Sequence, residues 1–326
     1  MRLIDLVRET PRRLAVPLVG YPGTQLTRSS MKQNMFNAEL QARSLYKIAE
    51  YAGVDAMFMM MDLSVEAGAL GLPVRFPLDE SATVEWHPVK AVGDLDQYKV
   101  VDVLYDGRVW VFLEAVRLLS RDVSFPIGAF VIGPFTLAGL MMGASDIALA
   151  TVDTPDVVLA TVNFCEHVLI EYARALQAAG AGMICILDPT AVILNPDDYW
   201  RFAGQSVENV VRHLATRTIL HVCGNTHHLI RRMCDTGVQG LSLDSMVNLP
   251  SVAREIPSDV VLIGNVDPVS VMLRGDREKV RQETVALLNA MAGHENFILS
   301  TGCDLPAETP LENIAELVRA TKAWRP

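Results

Sequence analysis

A parallel α/β fold, a TIM-type (β/α)8 barrel, is what this chain of 326 residues predicts. Three observations point there. Eight short apolar runs recur along the chain, continuous rather than alternating, as strands covered on both faces are. Amphipathic stretches with helix-capping residues separate them, the pattern of a repeated strand-then-helix unit. Polar side chains with lone pairs gather where the runs end, the face on which such barrels present their chemistry. A doubly wound sheet is the alternative reading of the same alternation.

The chain opens on "MRLIDLVRETPRRL", charged through its first turns and lacking an apolar centre, so it does not read as a signal peptide. The expected strands are Ala15–Val19, Ala56–Met61, Ile127–Ile132, Met183–Leu187, Thr218–Val222, Gly240–Leu243, Val260–Ile263 and Phe297–Ser300. Residues 66–126 form a long excursion after the second run, expected as a helical or hairpin insertion over one face. The uncharged stretch Phe125–Ala144 has the length of a membrane span. Pro126, Pro134 and several glycines interrupt it, and Arg121, Asp122 and Asp146 flank it, so it is expected as a buried strand, a Gly-Pro loop and a helix. A long helix is expected from Thr154 as N-cap and Pro155 as first helical residue to Gly180, burying Val158, Val162, Cys165, Leu169 and Leu176. The last helix is expected from Thr309 as N-cap, with Pro310 next and Glu312 in the capping-box position.

Half of the residues are hydrophobic and a fifth charged, enough for a sizeable core in one domain over residues 1–326. The net charge of −10 argues against nucleic acid and against an anionic membrane surface. Five cysteines without dense spacing suit the reducing cytoplasm better than a disulfide scaffold.

The chemistry concentrates in "LHVCGNTHHLI". His221 and Cys223 are one residue apart, so on an extended chain their side chains point the same way. Cys303 follows the last run, and strand ends that neighbour in a barrel bring these three together. Two thiolates and an imidazole favour zinc, and three protein ligands with an open fourth position are the catalytic pattern. The plain alternative is a pair of ordinary buried cysteines. Cys165, Cys185 and Cys234 read as core residues, and His227 and His228 as covering the next helix turn. The strand ends also carry Asp62, Asp188 and Asp244, and near the seventh run Asn265 and Asp267. "AAGAGMICI" joins a helix to a strand, the wrong order for a dinucleotide loop, and neither a P-loop nor an Asp-x-His-x-x-Gly cobalamin signature occurs.

"HVCGNTHHLI", "GLSLDSMVNL", "IGNVDP" and "STGCDLPAETPLENI", with "VIGPFTLAGLMMG" and "LDPTAVILNPDDYWRF", resemble the uroporphyrinogen decarboxylase superfamily, over essentially the whole chain. They resemble most its zinc-dependent branch, the methylcobamide:coenzyme M methyltransferases and related corrinoid-linked enzymes. The resemblance implies zinc held by His221, Cys223 and Cys303. It implies methyl transfer from a methylated corrinoid, supplied by a small partner protein, to a thiol such as coenzyme M. Transfer in the first-step sense, from a methylated donor to a corrinoid protein, is the alternative; a zinc-structured interaction module is a further one. True decarboxylases carry an arginine-rich N-terminal motif, whereas "VGYPGTQLTRSS" holds only Arg28. Asp62 and Asp188 are expected to shape the pocket. Asp244 is expected either as a displaceable carboxylate ligand or as the acceptor that orients His221, the plain alternative being a carboxylate that caps the following turn through nearby backbone N–H groups.

Overall fold

Among the described residues nine strands follow one another: β1 (Met57–Phe58), β2 (Val74–Arg75), β3 (Thr83–Val84), β4 (Ile127–Ile132), β5 (Met183–Leu187), β6 (Arg217–Val222), β7 (Gly240–Leu243), β8 (Val261–Val266) and β9 (Phe297–Thr301). The structure, a computed structural model, describes residues 2–325. Seven strands form one sheet in the order β1-β4-β5-β6-β7-β8-β9, every neighbouring pair parallel. That is the α/β arrangement expected, and it is consistent with a TIM-type barrel.

The expected first strand, Ala15–Val19, is reduced to a single parallel bridge between Ala15 and Leu299. Val16 N–H donates to the Leu299 carbonyl at 2.9 Å, and Asp55 N–H to the Ala15 carbonyl at 3.0 Å. The segment therefore lies between the end of the sheet at β9 and the chain entering β1. Pro17 has no N–H to offer the β1 side, and on the β9 side the Leu18 N–H goes to the Thr301 hydroxyl at 3.1 Å instead of a backbone carbonyl. The expected Ala56–Met61 strand shortens to β1, while β8 runs on to Val266 and takes Asn265 into the sheet instead of leaving it at a strand end.

Period-two alternation sorts the strand side chains into two layers. Ile219, Met183, Cys185, Leu187, Ile263 and Ile298 turn inward and meet the N-terminal helix Leu3–Glu9 through Leu3, Ile4 and Val7. Leu220, Val222, Ile184 and Ile186 turn outward against the helices. The helix Pro155–Ala179 ends at Gly180, left-handed at φ +114°, and buries the stripe expected. Thr154 precedes it without a side-chain cap. The last helix is Leu311–Ala323, with Pro310 rather than Thr309 at its N-cap and no side-chain cap, so the expected capping box does not form.

β4 passes through Gly133 directly into the helix Pro134–Met142, with Pro134 in its first turn in place of the expected loop. No single described helix is long and apolar enough to cross a membrane; Pro134–Met142 and Ala144–Asp153 qualify only as a pair, bent by 102°. Between β1 and β4 lie the helix Val65–Ala69, the antiparallel β2–β3 hairpin and the helix Gly107–Asp122, capped by Asp106.

Candidate metal centre

His221 is the inward residue at the end of β6, on the same face as Ile219, and is 1% exposed. Cys223 comes next on that face. Gly224 then turns the chain at φ +86°, a conformation that glycine adopts without steric cost. Cys303 lies two residues beyond β9. Gly302 between them packs so closely on the Ser245 backbone that a Cβ would collide with it, and its N–H donates to the Val266 carbonyl at 2.8 Å. This tight crossing carries Cys303 over the sheet toward β6.

The three predicted ligands meet. His221 Nε2 stands 3.0 Å from Cys223 Sγ and 3.8 Å from Cys303 Sγ, and the two sulfurs are 3.6 Å apart. Edges of 3.0 to 3.8 Å are short enough for one ion to bond all three atoms at the ~2.0–2.3 Å that imidazole and thiolate ligands give zinc. Edges and donor chemistry therefore fit zinc. Three protein ligands, where a tetrahedral zinc takes four, would leave one position for a substrate.

The two sulfurs are within hydrogen-bond reach of each other, and either can donate. The contact with Cys303 pulls the Cys223 thiol down from its ordinary value, and the same contact, with burial, pushes Cys303 up. A metal that removes both protons resolves that asymmetry. On the other side of the ring, His221 Nδ1 lies 3.0 Å from Ser242 Oγ, its register partner on β7. With Nε2 on a metal, Nδ1 carries the hydrogen and donates it to the serine.

Asp244 takes the plainer of its expected places, against backbone N–H groups. Its Oδ2 accepts the Gly224 N–H at 2.9 Å and its Oδ1 the Met246 N–H at 2.9 Å. It is outside the cluster of three ligand atoms, which lie within 4.8 Å of one another, and Ser242 holds the place against His221. Asp244 thus pins the turn after Cys223. Asp188 is fully buried. Its N–H donates to the His221 carbonyl at 2.9 Å, and its Oδ1 accepts from the Thr136 N–H and hydroxyl at 2.8 and 2.6 Å. Its Oδ2 has no partner, and burial pushes the acid up to about 6. Asp62 forms a buried ion pair with Arg108, whose guanidinium lies over the Phe76 ring at 4.5 Å. Asp62 also accepts from the Ser64 N–H and hydroxyl, each at 2.7 Å.

Cys303 and Asp62 line one cavity of about 400 Å³, which Tyr21, Asp79, Glu80 and Glu308 also border. Asp188 is not among its lining residues.

Sequence reasoning missed Ser242, Arg108 and Glu66. Ser242 was legible in principle, two residues before Asp244 in "GLSLD" and on the inward parity of β7. Arg108 lies 46 residues from Asp62, and nothing in their spacing ties them. Glu66 is buried beside β4, where its Oε1 accepts the Ile132 N–H at 2.9 Å, and burial pushes it up to about 7. Its place in the first turn of a short helix gives no sequence signal.

A family model described as uroporphyrinogen decarboxylase (URO-D) matches residues 16–324. The chain is 31% identical over 301 residues to the methylcobamide:CoM methyltransferase MtbA of Methanosarcina mazei, across 88% of this chain and 86% of that one. It is 27% identical to the methylcobamide:CoM methyltransferase MtaA of Methanosarcina barkeri, across 87% and 84%. A solved structure described as a methyltransferase from Methanosarcina mazei superposes with a TM-score of 0.89 over 98% of this chain and 96% of that one, at 24% identity, a likeness of fold.

Proposed function

This chain belongs to the uroporphyrinogen decarboxylase family, and on that premise we propose that it is a zinc-dependent methyltransferase carrying a methyl group from a methylated corrinoid protein to a small thiol. The observation that carries the reading is the convergence of His221, Cys223 and Cys303 from β6 and β9 into one triangle beside a cavity. Relatives named for methyl transfer between a methylcobamide and coenzyme M support it. A decarboxylase acting on a polycarboxylate would need a set of bidentate cations, and the cavity is lined by none.

His221, Cys223 and Cys303 would hold the zinc; when bound it keeps an acceptor thiol in its deprotonated, nucleophilic form near neutral pH. The chain supplies the rest. Two cysteine sulfurs give the site a negative ligand set. Ser242 fixes the ring and tautomer of His221. Asp244 ties the turn after Cys223 to the end of β7 through the Gly224 N–H, holding that sulfur at its angle. Asp188 anchors the end of β6 through the His221 carbonyl. Asp62, locked by Arg108 and Ser64, forms a fixed wall of the cavity. In the transfer the acceptor sulfur bonds to the methyl carbon as the cobalt–carbon bond breaks. Both electrons of that bond stay on cobalt, and the thiol proton leaves to solvent. The corrinoid comes from a partner protein that docks over the strand ends, where the β2–β3 hairpin shapes the mouth.

Metal analysis with a thiol-methylation assay using methylcobalamin tests the reading. The expected result is about one zinc per chain and methyl transfer that is lost with the metal and restored with it. Full activity in zinc-free protein would overturn it.

A further inference from the structure

The β2–β3 hairpin supplies part of the cavity beside Cys303: Asp79, Glu80, Ser81 and Ala82, from the turn between the strands, all border it. Little holds that hairpin in place. Its strands pair over two residues each, too few for a ribbon to be stable alone. Of residues 74–84 only Val84 is buried. The turn is tied to the short helix Met31–Met35 by the Lys32 N–H on the Leu78 carbonyl at 2.9 Å and by the Met31 N–H on Asp79 Oδ1 at 3.3 Å.

Phe76, the residue after β2, has a partner of another kind. Its ring centroid lies 4.5 Å from the Arg108 guanidinium carbon. The Phe36 ring meets it edge-on, 4.9 Å between centroids, and lies 5.6 Å from the same guanidinium. Arg108 is 7% exposed and forms its ion pair with Asp62, which also lines the cavity beside Cys303. A cation held this far from water is strongly attracted to a ring face. Phe76 otherwise borders two spaces, a cavity of about 510 Å³ shared with Phe36, Leu72 and Val111 and a small recess shared with Tyr21 and Asp62. One guanidinium therefore joins the hairpin to a fixed carboxylate on the cavity wall.

We propose that Phe76 is a positioning residue: seated on Arg108, its ring sets the hairpin against the Asp62 wall and thereby sets the affinity of the cavity for the acceptor thiol. The proposal rests on the thiol-acceptor reading for the molecule that enters, while the seating of the hairpin stands on Phe76 and Arg108 alone.

Phe76→Leu, which keeps an apolar side chain and removes the ring, tests it beside Phe76→Tyr, which keeps the ring. Amide exchange over residues 73–88 reads the hairpin. On the zinc-loaded proteins, calorimetry with coenzyme M reads affinity, and transfer from methylcobalamin to it separates KM from kcat. In the leucine variant the hairpin is expected to exchange at least about threefold faster, with Kd and KM raised at least about threefold and kcat within about twofold of native. The tyrosine variant should return all of them to native values. Unchanged hairpin exchange, faster exchange with unchanged Kd, or a tyrosine variant as impaired as the leucine one overturns the proposal. If exchange and Kd follow the ring while no protein methylates the thiol, the positioning role stands and the thiol-acceptor reading falls.

Discussion

Glu66 shows at single-residue scale how burial sets a charge state. Its carboxyl has one strong acceptor contact, to the Ile132 N–H, and sits inside the fold near Asp62, so the neutral acid is favoured and its pKa rises from 4.5 to about 7. The folded state therefore holds a proton that the unfolded chain releases between those values. Stability from this group is complete below pH 4.5 and is lost as the pH rises through 7, an effect of about 3 kcal/mol. Glu66→Gln keeps the acceptor and removes the titration. Its melting temperature should match the native protein near pH 4.5 and exceed it at pH 8; parallel melting curves across that range would contradict the assignment. His221, Cys223 and Cys303 could be found from sequence because period two and residue chemistry are local signals. Ser242 and Arg108 act through partners that only the folded register supplies.

Among the elements, the junction of β4 with the helix Pro134–Met142 supports the site from behind. Gly133 lies against the Asp188 side chain with no room for a Cβ, and Asp188 in turn holds Thr136 and the end of β6. The continuous apolar runs made most of the sheet legible, since buried parallel strands leave no alternation to misread. The first run shrank for a local reason: Pro17 has no N–H to offer β1 and the Leu18 N–H turns to the Thr301 hydroxyl, although the segment keeps its place between β9 and β1. Strand ends shifted at β1 and β8 because pairing partners, not composition, decide where a ladder stops. Gly133→Ala forces the methyl into the Asp188 carboxyl and breaks its bonds to Thr136 inside the protein. The expected loss is about 3 kcal/mol, read as a lower denaturant midpoint with an unchanged slope. A loss below about 0.5 kcal/mol would mean that the junction relaxes freely.

Across the whole molecule, the parallel order of the sheet gathers ligands from residues 80 apart onto one rim, while the excursion between β1 and β4 brings Asp79 and Glu80 to the same cavity. The parallel order and the meeting of His221, Cys223 and Cys303 were legible together, because the strand order is what brings these residues to one another. The charge of the cavity was not, since its acids come from the hairpin and from the loop after β9. X-ray absorption at the zinc edge addresses the central claim, an open three-ligand zinc that takes up the acceptor sulfur. The resting protein should show two sulfurs, one imidazole nitrogen and one light atom, and saturation with an accepted thiol should raise the count to three sulfurs. A sulfur count that stays at two under saturating thiol, or a fourth protein ligand closing the resting site, would contradict it.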